Sequence, residues 1–109
     1  MTPIDEFGFH AKLRQTAGNA LVLFSGPDCG NCRQAERRLP AAAGPGIALF
    51  KVDVQKSTAL ARQYEVFHLP TLFLFRDGHY HAKLECEVTP DKLRQAIESA
   101  LARPPEEEP

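Results

Sequence analysis

The sequence contains no tryptophan, a single methionine and only three cysteines in 109 residues. Three cysteines, an odd number, cannot build the disulfide framework on which small secreted domains rely. No segment approaches the ~18 consecutive apolar residues of a membrane-crossing helix, so no membrane partner is expected. Neither sign of charge dominates: 13 Lys and Arg face 14 Asp and Glu. No basic stretch is long enough to track phosphates, and nucleic acid is not an expected partner. Met1 to Leu13 lacks the basic start and apolar run of a secretory signal and carries Asp5 and Glu6 instead. The expectation is a reducing, cytoplasmic setting. There a close cysteine pair points to redox chemistry or a metal.

What is present is enough for one core. Hydrophobic residues make up 43% of the chain, with seven Phe among them, so the core should consist of Phe, Leu, Ile, Val and Ala. No internal repeat or linker divides the sequence. The expected organisation is one domain over residues 1–103, followed by a frayed tail over 104–109. Glu106, Glu107 and Glu108 in that tail read as a solubilising run.

Element signals follow in regular order. Thr2-Pro3-Ile4-Asp5 reads as a helix start, with Thr2 as N-cap and Pro3 at the first helical position. Phe7, Ala11 and Arg14 share one side of that helix, Phe9 and Leu13 another, and Gly18-Asn19 ends it. Ala20 to Ser25 is apolar without alternation, as in a strand covered on both faces. Asn31 to Leu39 reads as a helix stopped by Pro40. Ile47 to Val54 is a second strand, Ser57 to Tyr64 a helix, and Thr71 to Phe75 a third strand. Arg76-Asp77-Gly78 is a hairpin turn, and His79 to Cys86 returns as a more polar edge strand. Thr89-Pro90-Asp91 opens the clearest amphipathic helix, with Leu93, Ala96, Ile97, Ala100 and Leu101 on one face. Alternation followed by a hairpin implies a mixed sheet with helices on both faces.

Cys29 and Cys32 lie where a buried strand gives way to a helix. First-turn N–H groups point at Cys29 and favour its thiolate, the attacking species in disulfide exchange. The i, i+3 spacing puts Cys32 one turn on, in reach of a mixed disulfide. Two other readings stay open. One is half of a zinc site, with Cys86, His10, His68, His79 and His81 as the remaining candidates. The other is an inert pair.

Two segments carry a family resemblance. Leu21 to Cys32, LVLFSGPDCGNC, resembles the active-site strand and loop of the thioredoxin superfamily. His68 to Gly78, HLPTLFLFRDG, resembles the segment those proteins place beside it. The similarity runs from about Leu21 to Leu101. It implies a thioredoxin-like three-layer α/β/α sandwich. Because the chain starts at what reads as the first helix, the expected mixed sheet has about four strands and lacks the short leading strand of thioredoxins. It also implies that Pro70 is the family's cis-proline, packed against the cysteines, and that Leu69, Pro70 and Thr71 position an extended substrate backbone. Read by itself, Pro70 would be an ordinary strand-start proline.

Departures from the family pattern bear on activity. Asp28 stands where thioredoxins usually carry Trp, removing a flat apolar contact and setting a carboxylate beside Cys29. Leu23 stands where a buried Asp normally helps take the proton from the second cysteine. The expectation is that Cys32 lacks a dedicated base and resolves mixed disulfides slowly. Lys51 matches that Asp's usual partner and is expected to extend to solvent. Cys86 stands where the family usually has a Gly lining the substrate groove; it reads as a half-buried free thiol, or as a third redox thiol or the site of an intermolecular disulfide. His68 is either a surface histidine or a tuner of Cys29, while His79 and His81 are expected to face solvent.

The function these residues imply is thiol–disulfide exchange with protein disulfides. Cys29 would attack and Cys32 resolve, with no organic cofactor or metal, in a monomer supplied with electrons by a reductase or another dithiol. The alternative is a non-catalytic adaptor or chaperone-partner module that binds polypeptide in the groove beside Pro70.

Overall fold

A computed structural model describes residues 1–109. The elements in chain order are β1 (Thr2–Pro3), α1 (Phe9–Arg14), β2 (Asn19–Ser25), α2 (Gly30–Ala43), β3 (Ala48–Asp53), α3 (Thr58–Gln63), β4 (Thr71–Arg76), β5 (His79–Leu84) and α4 (Pro90–Leu101). They form one mixed sheet in the order β1-β3-β2-β4-β5. β1, β3 and β2 run parallel, and β4 and β5 are antiparallel to their neighbours. No helix is long and apolar enough to cross a membrane.

The unalternating β2 lies at the centre of this sheet, buried on both faces as its sequence predicts. Ala20, Val22 and Phe24 join Phe9, Leu13, Leu60 and Tyr64 in the core beneath α1 and α3. Leu21 and Leu23 join Ala35, Leu39, Leu93 and Ile97 beneath α2 and α4. Two apolar layers on one sheet are the three-layer sandwich expected. Burying each such side chain contributes roughly 1.5–3 kcal/mol, and the period-2 geometry of β2 serves both layers at once.

Two expectations about the amino terminus are corrected. The sheet has five strands, not four, and the leading strand is present: Thr2 pairs with Phe50 and Pro3 with Lys51. Pro3 lacks an N–H, but at a sheet edge that donor is not needed. Ile4 N–H then donates to the Lys51 carbonyl at 2.9 Å, extending the pairing. Thr2 is therefore no N-cap. The turn that follows is closed by Asp5, whose Oδ1 accepts from the N–H groups of Phe7 and Gly8, both at 3.0 Å. Helix α1 begins only at Phe9, and Phe7 is left 90% exposed.

Helix α2 also departs from expectation. It runs through Pro40, which is exposed, and ends at Gly44, whose φ is +71°. A proline inside a helix removes only its own donor and crowds one carbonyl. Here the buried Cys32, Ala35 and Leu39 on one face hold the helix across that gap. The Asp77–Gly78 hairpin is as predicted. Both residues have positive φ, and a Cβ on Gly78 would lie 2.8 Å from the Leu13 carbonyl oxygen, so only glycine fits.

His81 is a further correction. It is buried, and its Nε2 lies 2.6 Å from the Ala100 carbonyl oxygen in the last turn of α4. The cause is a bulge: Leu74 pairs with Ala82 and Phe75 with Tyr80, leaving His81 unopposed. One extra residue breaks strand alternation and turns a side chain over. His79, before the bulge, is exposed. Residues 104–109 are exposed too, yet they lie along β5. Glu106 N–H donates to the His81 carbonyl at 2.7 Å, Lys83 N–H to Glu106 Oε1 at 3.0 Å, and the Tyr64 hydroxyl to Glu108 Oε2 at 2.6 Å.

Candidate functional site: the Cys29–Cys32 pair and its groove

The end of β2 and the start of α2 bring the two cysteines together. Cys29 is the N-cap of α2, with extended backbone at φ −118° and ψ 104°. Its Sγ accepts the Cys32 N–H at 3.1 Å, using one of the first-turn donors that have no partner within a helix. The same N–H and the adjoining helix end favour negative charge on that sulfur when the pair is reduced. Cys29 and Cys32 are joined as a disulfide, with Cα atoms 5.1 Å apart. Their exposures differ in the way exchange chemistry requires: Cys29 is half-buried at the surface, and Cys32 is completely buried.

The loop before β4 packs against the end of β2. Leu69–Pro70 is a cis peptide, and Leu69 lies so close to the Gly26 backbone that a Cβ there would be 3.0 Å from Leu69 Cδ1. The Thr71 hydroxyl donates to the His68 carbonyl at 2.6 Å and braces the loop from inside. A cavity of about 350 Å³ runs beside it, lined among others by Leu23, His68, Pro70, Thr71 and Cys86. Five residues singled out in the sequence thus share one groove. Cys86 there is free and half-buried, and burial pushes its thiol above the ordinary value. Asp28 sits apart, exposed on the turn before Cys29.

Leu23 and Lys51 are opposite each other across β2 and β3. Leu23 is buried in the apolar layer beneath α2 and α4, so the strand carries no carboxylate. Lys51 nevertheless finds one. Its Nζ lies 3.7 Å from Oε1 of Glu36, which α2 supplies from above. The same oxygen accepts from the Ser25 hydroxyl at 3.1 Å and from Arg33 Nη2 at 3.1 Å, while Arg33 Nε lies 3.0 Å from Oε2. Sequence reasoning passed over Glu36. The available signal was its i+4 spacing from Cys32 on one helix face. His10, His68 and His79 are exposed, and no group of three or more His, Cys, Asp or Glu side chains converges as a metal site.

Comparison with known proteins matches this geometry. The Thioredoxin family profile aligns with residues 2–99. Chloroplastic thioredoxin Y of Oryza sativa subsp. japonica is 31% identical over 96 residues, covering 85% of this chain and 57% of the relative. A thioredoxin of Rhodospirillum rubrum is 26% identical over 104 residues, covering 93% of this chain and 100% of the relative. Thioredoxin of Chlamydia trachomatis is 39% identical over 64 residues, 57% of this chain and 63% of the relative. The chain therefore spans about three-fifths of some curated relatives and the whole of another. Among solved structures, the human ERp44 zinc-bound form superposes with a TM-score of 0.77 at 21% identity, over 91% of this chain and 31% of that one, a likeness of fold alone. With a CxxC pair whose first cysteine caps a helix behind a central strand, a cis-proline loop against the end of that strand and a family match over residues 2–99, the chain belongs to the thioredoxin family.

Proposed function

We propose that the chain is a thiol–disulfide oxidoreductase that reduces disulfides in protein substrates. The observation that carries this reading is the asymmetry of the pair: an accessible Cys29 capping α2 and a sealed Cys32 bonded to it. In the reduced state the Cys29 thiolate attacks a substrate disulfide, forming one S–S bond and breaking another, and the first substrate sulfur leaves as a thiolate. Cys32 then attacks Cys29 Sγ, re-forming the intramolecular disulfide and releasing the second substrate sulfur. Two electrons pass from the cysteine pair to the substrate, and a second dithiol or a reductase must return them. The groove beside Pro70 supports this reading because an extended polypeptide can lie along it with backbone groups paired. A reducing compartment such as the cytoplasm and a monomeric state belong to the same proposal.

An adaptor that binds polypeptide without exchange is the competing reading. It draws on Asp28, an exposed carboxylate on the turn before Cys29. Insulin reduction with a supplied reductant separates the two. The parent chain should turn over, Cys29→Ser should be inactive, and Cys32→Ser should accumulate a mixed disulfide with substrate. Turnover retained in Cys29→Ser, or none in the parent alongside stable polypeptide binding, overturns the oxidoreductase reading.

A further inference from the structure

Cys32 has no exposed surface, and this raises the question of where its proton goes. Resolution requires the thiolate, and a thiol shut away from water ionises reluctantly unless a nearby group takes the proton and the new charge is balanced. Across β2 and β3 the paired positions nearest are Leu23 with Lys51 and, two residues on, Ser25 with Asp53, and β2 itself carries no carboxylate. The carboxylate is on α2 itself. Glu36 follows Cys32 by four residues, which sets the two side chains on one helix face a turn apart. Its side chain is only 17% exposed.

The surroundings of Glu36 bear on what it can do. It borders a cavity of about 330 Å³ with a single hydrophobic lining residue. The charged groups facing it there are Arg33 from α2, Lys51 and Asp53 from β3, Lys56 beyond β3 and Asp5 from the amino-terminal turn. Two of these cations, Arg33 and Lys51, lie within 4 Å of the carboxylate itself. An exposed ion pair would contribute little. Here two cations and the Ser25 hydroxyl converge on one sheltered carboxylate, and the two cations remain at the site when that carboxylate takes up a proton.

We propose that Glu36 accepts the Cys32 proton during resolution of the mixed disulfide, while Lys51 and Arg33 balance the negative charge left on sulfur. The inference rests on the disulfide-exchange reading above. In this step the proton moves from Cys32 sulfur to the Glu36 carboxylate, and the Cys32 thiolate attacks Cys29 Sγ. The Cys29–Cys32 bond forms as the bond from Cys29 to the substrate sulfur breaks. That sulfur leaves with the bonding electron pair and is protonated by solvent, and the Glu36 proton returns to solvent. Glu36 takes its proton from a reacting sulfur, so its proposed role is that of a general base.

The test uses the reduced chain of residues 1–109 in a Cys86→Ser background, so that only two thiols report. Stopped-flow mixing with dithiobisnitrobenzoate gives a concentration-dependent release of coloured thiolate as Cys29 attacks. A concentration-independent release follows as Cys32 resolves. Glu36→Gln should leave the first phase unchanged and slow the second about a hundredfold or more at neutral pH, the lower end of a general-base contribution. The deficit should close as pH rises to where Cys32 ionises unaided, and Glu36→Asp should recover part of the rate. Lys51→Met, which keeps the carboxylate, should slow the second phase with the same closing deficit. A second phase in Glu36→Gln with the parent's rate and pH profile overturns the proposal. So does equal slowing of both phases at every pH, the pattern of a merely structural role. If the parent shows no second phase, or Cys32→Ser retains one, the exchange reading itself fails and the proposal with it.

Discussion

At the scale of single residues, environment separates groups that look alike in the sequence. Cys29 and Cys86 are both partly exposed thiols when the pair is reduced. Cys29 caps a helix and accepts an N–H, whereas Cys86 lies in the groove with burial raising its pKa from the ordinary 9.0. Thiolate is the alkylated species. In the reduced protein at pH 8, iodoacetamide should therefore modify Cys29 well before Cys86, as read by peptide mass spectrometry. Equal rates would show Cys86 to be as activated as Cys29. Tyr80 gives a pH prediction of the same kind. Burial first, then the Glu106 and Glu108 carboxylates, push its hydroxyl up to about 12. Tyr64 is raised further by burial and by its hydrogen bond to Glu108. The folded protein thus keeps phenolic protons that the unfolded chain releases above about pH 10. Their contribution is complete below pH 10 and is lost as pH climbs toward 12. Urea midpoints at pH 9 and pH 11 should fall less in Tyr80→Phe than in the parent chain.

At the scale of elements, legibility followed periodicity. β2 and β4 read correctly because unbroken apolar runs have one stable place, the middle of a sheet covered on both faces. α4 read correctly because Thr89 and Pro90 mark its start, and the Thr89 hydroxyl does accept the Lys92 N–H, at 3.4 Å. The cysteine pair and Pro70 were legible together because chemistry restricts both positions. What escaped was set by partners distant in sequence. Thr2 and Pro3 look like a helix cap until Phe50 and Lys51 supply a strand to pair with. Pro40 looks like a stop until Leu39 and Ala35 are seen anchoring α2. Glu36 looks like one more charged helix residue until Ser25 and Lys51 meet it. His81 escaped because a bulge leaves no trace in composition, and it carries its own prediction. Replacing a buried, hydrogen-bonded side chain costs about 1–3 kcal/mol, whereas exposed positions usually stay within about 0.5 kcal/mol. His81→Ala should therefore lower Tm by several degrees while His79→Ala leaves it nearly unchanged. Equal effects would mean that the bulge does not turn His81 inward.

At the scale of the whole molecule, the carboxyl-terminal residues bear on the edges of the sheet. β5 is an outer strand, and an outer strand presents unpaired N–H and C=O groups to any passing chain. Glu106 occupies two of these groups, the His81 carbonyl and the Lys83 N–H. Glu108 reaches the hydroxyl of Tyr64, a residue otherwise buried in the core. Although exposed, this segment works as a strap: it satisfies an edge and ties α3's end to β5. Ending the chain after Arg103 should remove these three hydrogen bonds, at a net cost of about 1–3 kcal/mol, given that each contributes roughly 0.5–1.5 kcal/mol and that exposed partners recover water. The shortened chain should also self-associate more readily in size-exclusion chromatography, because the freed edge loses three negative charges along with its cover. The loss of Glu106 and Glu108 should bring the Tyr80 hydroxyl back toward its ordinary value and soften the decline in stability above pH 10. Glu108→Gln separates these effects, since it keeps a hydrogen-bond acceptor for Tyr64 while removing the charge: its alkaline behaviour should move toward that of the truncated chain while its neutral-pH Tm stays near the parent's. A truncated chain with unchanged Tm, unchanged alkaline profile and unchanged elution would show that residues 104–109 hold no part of the fold in solution.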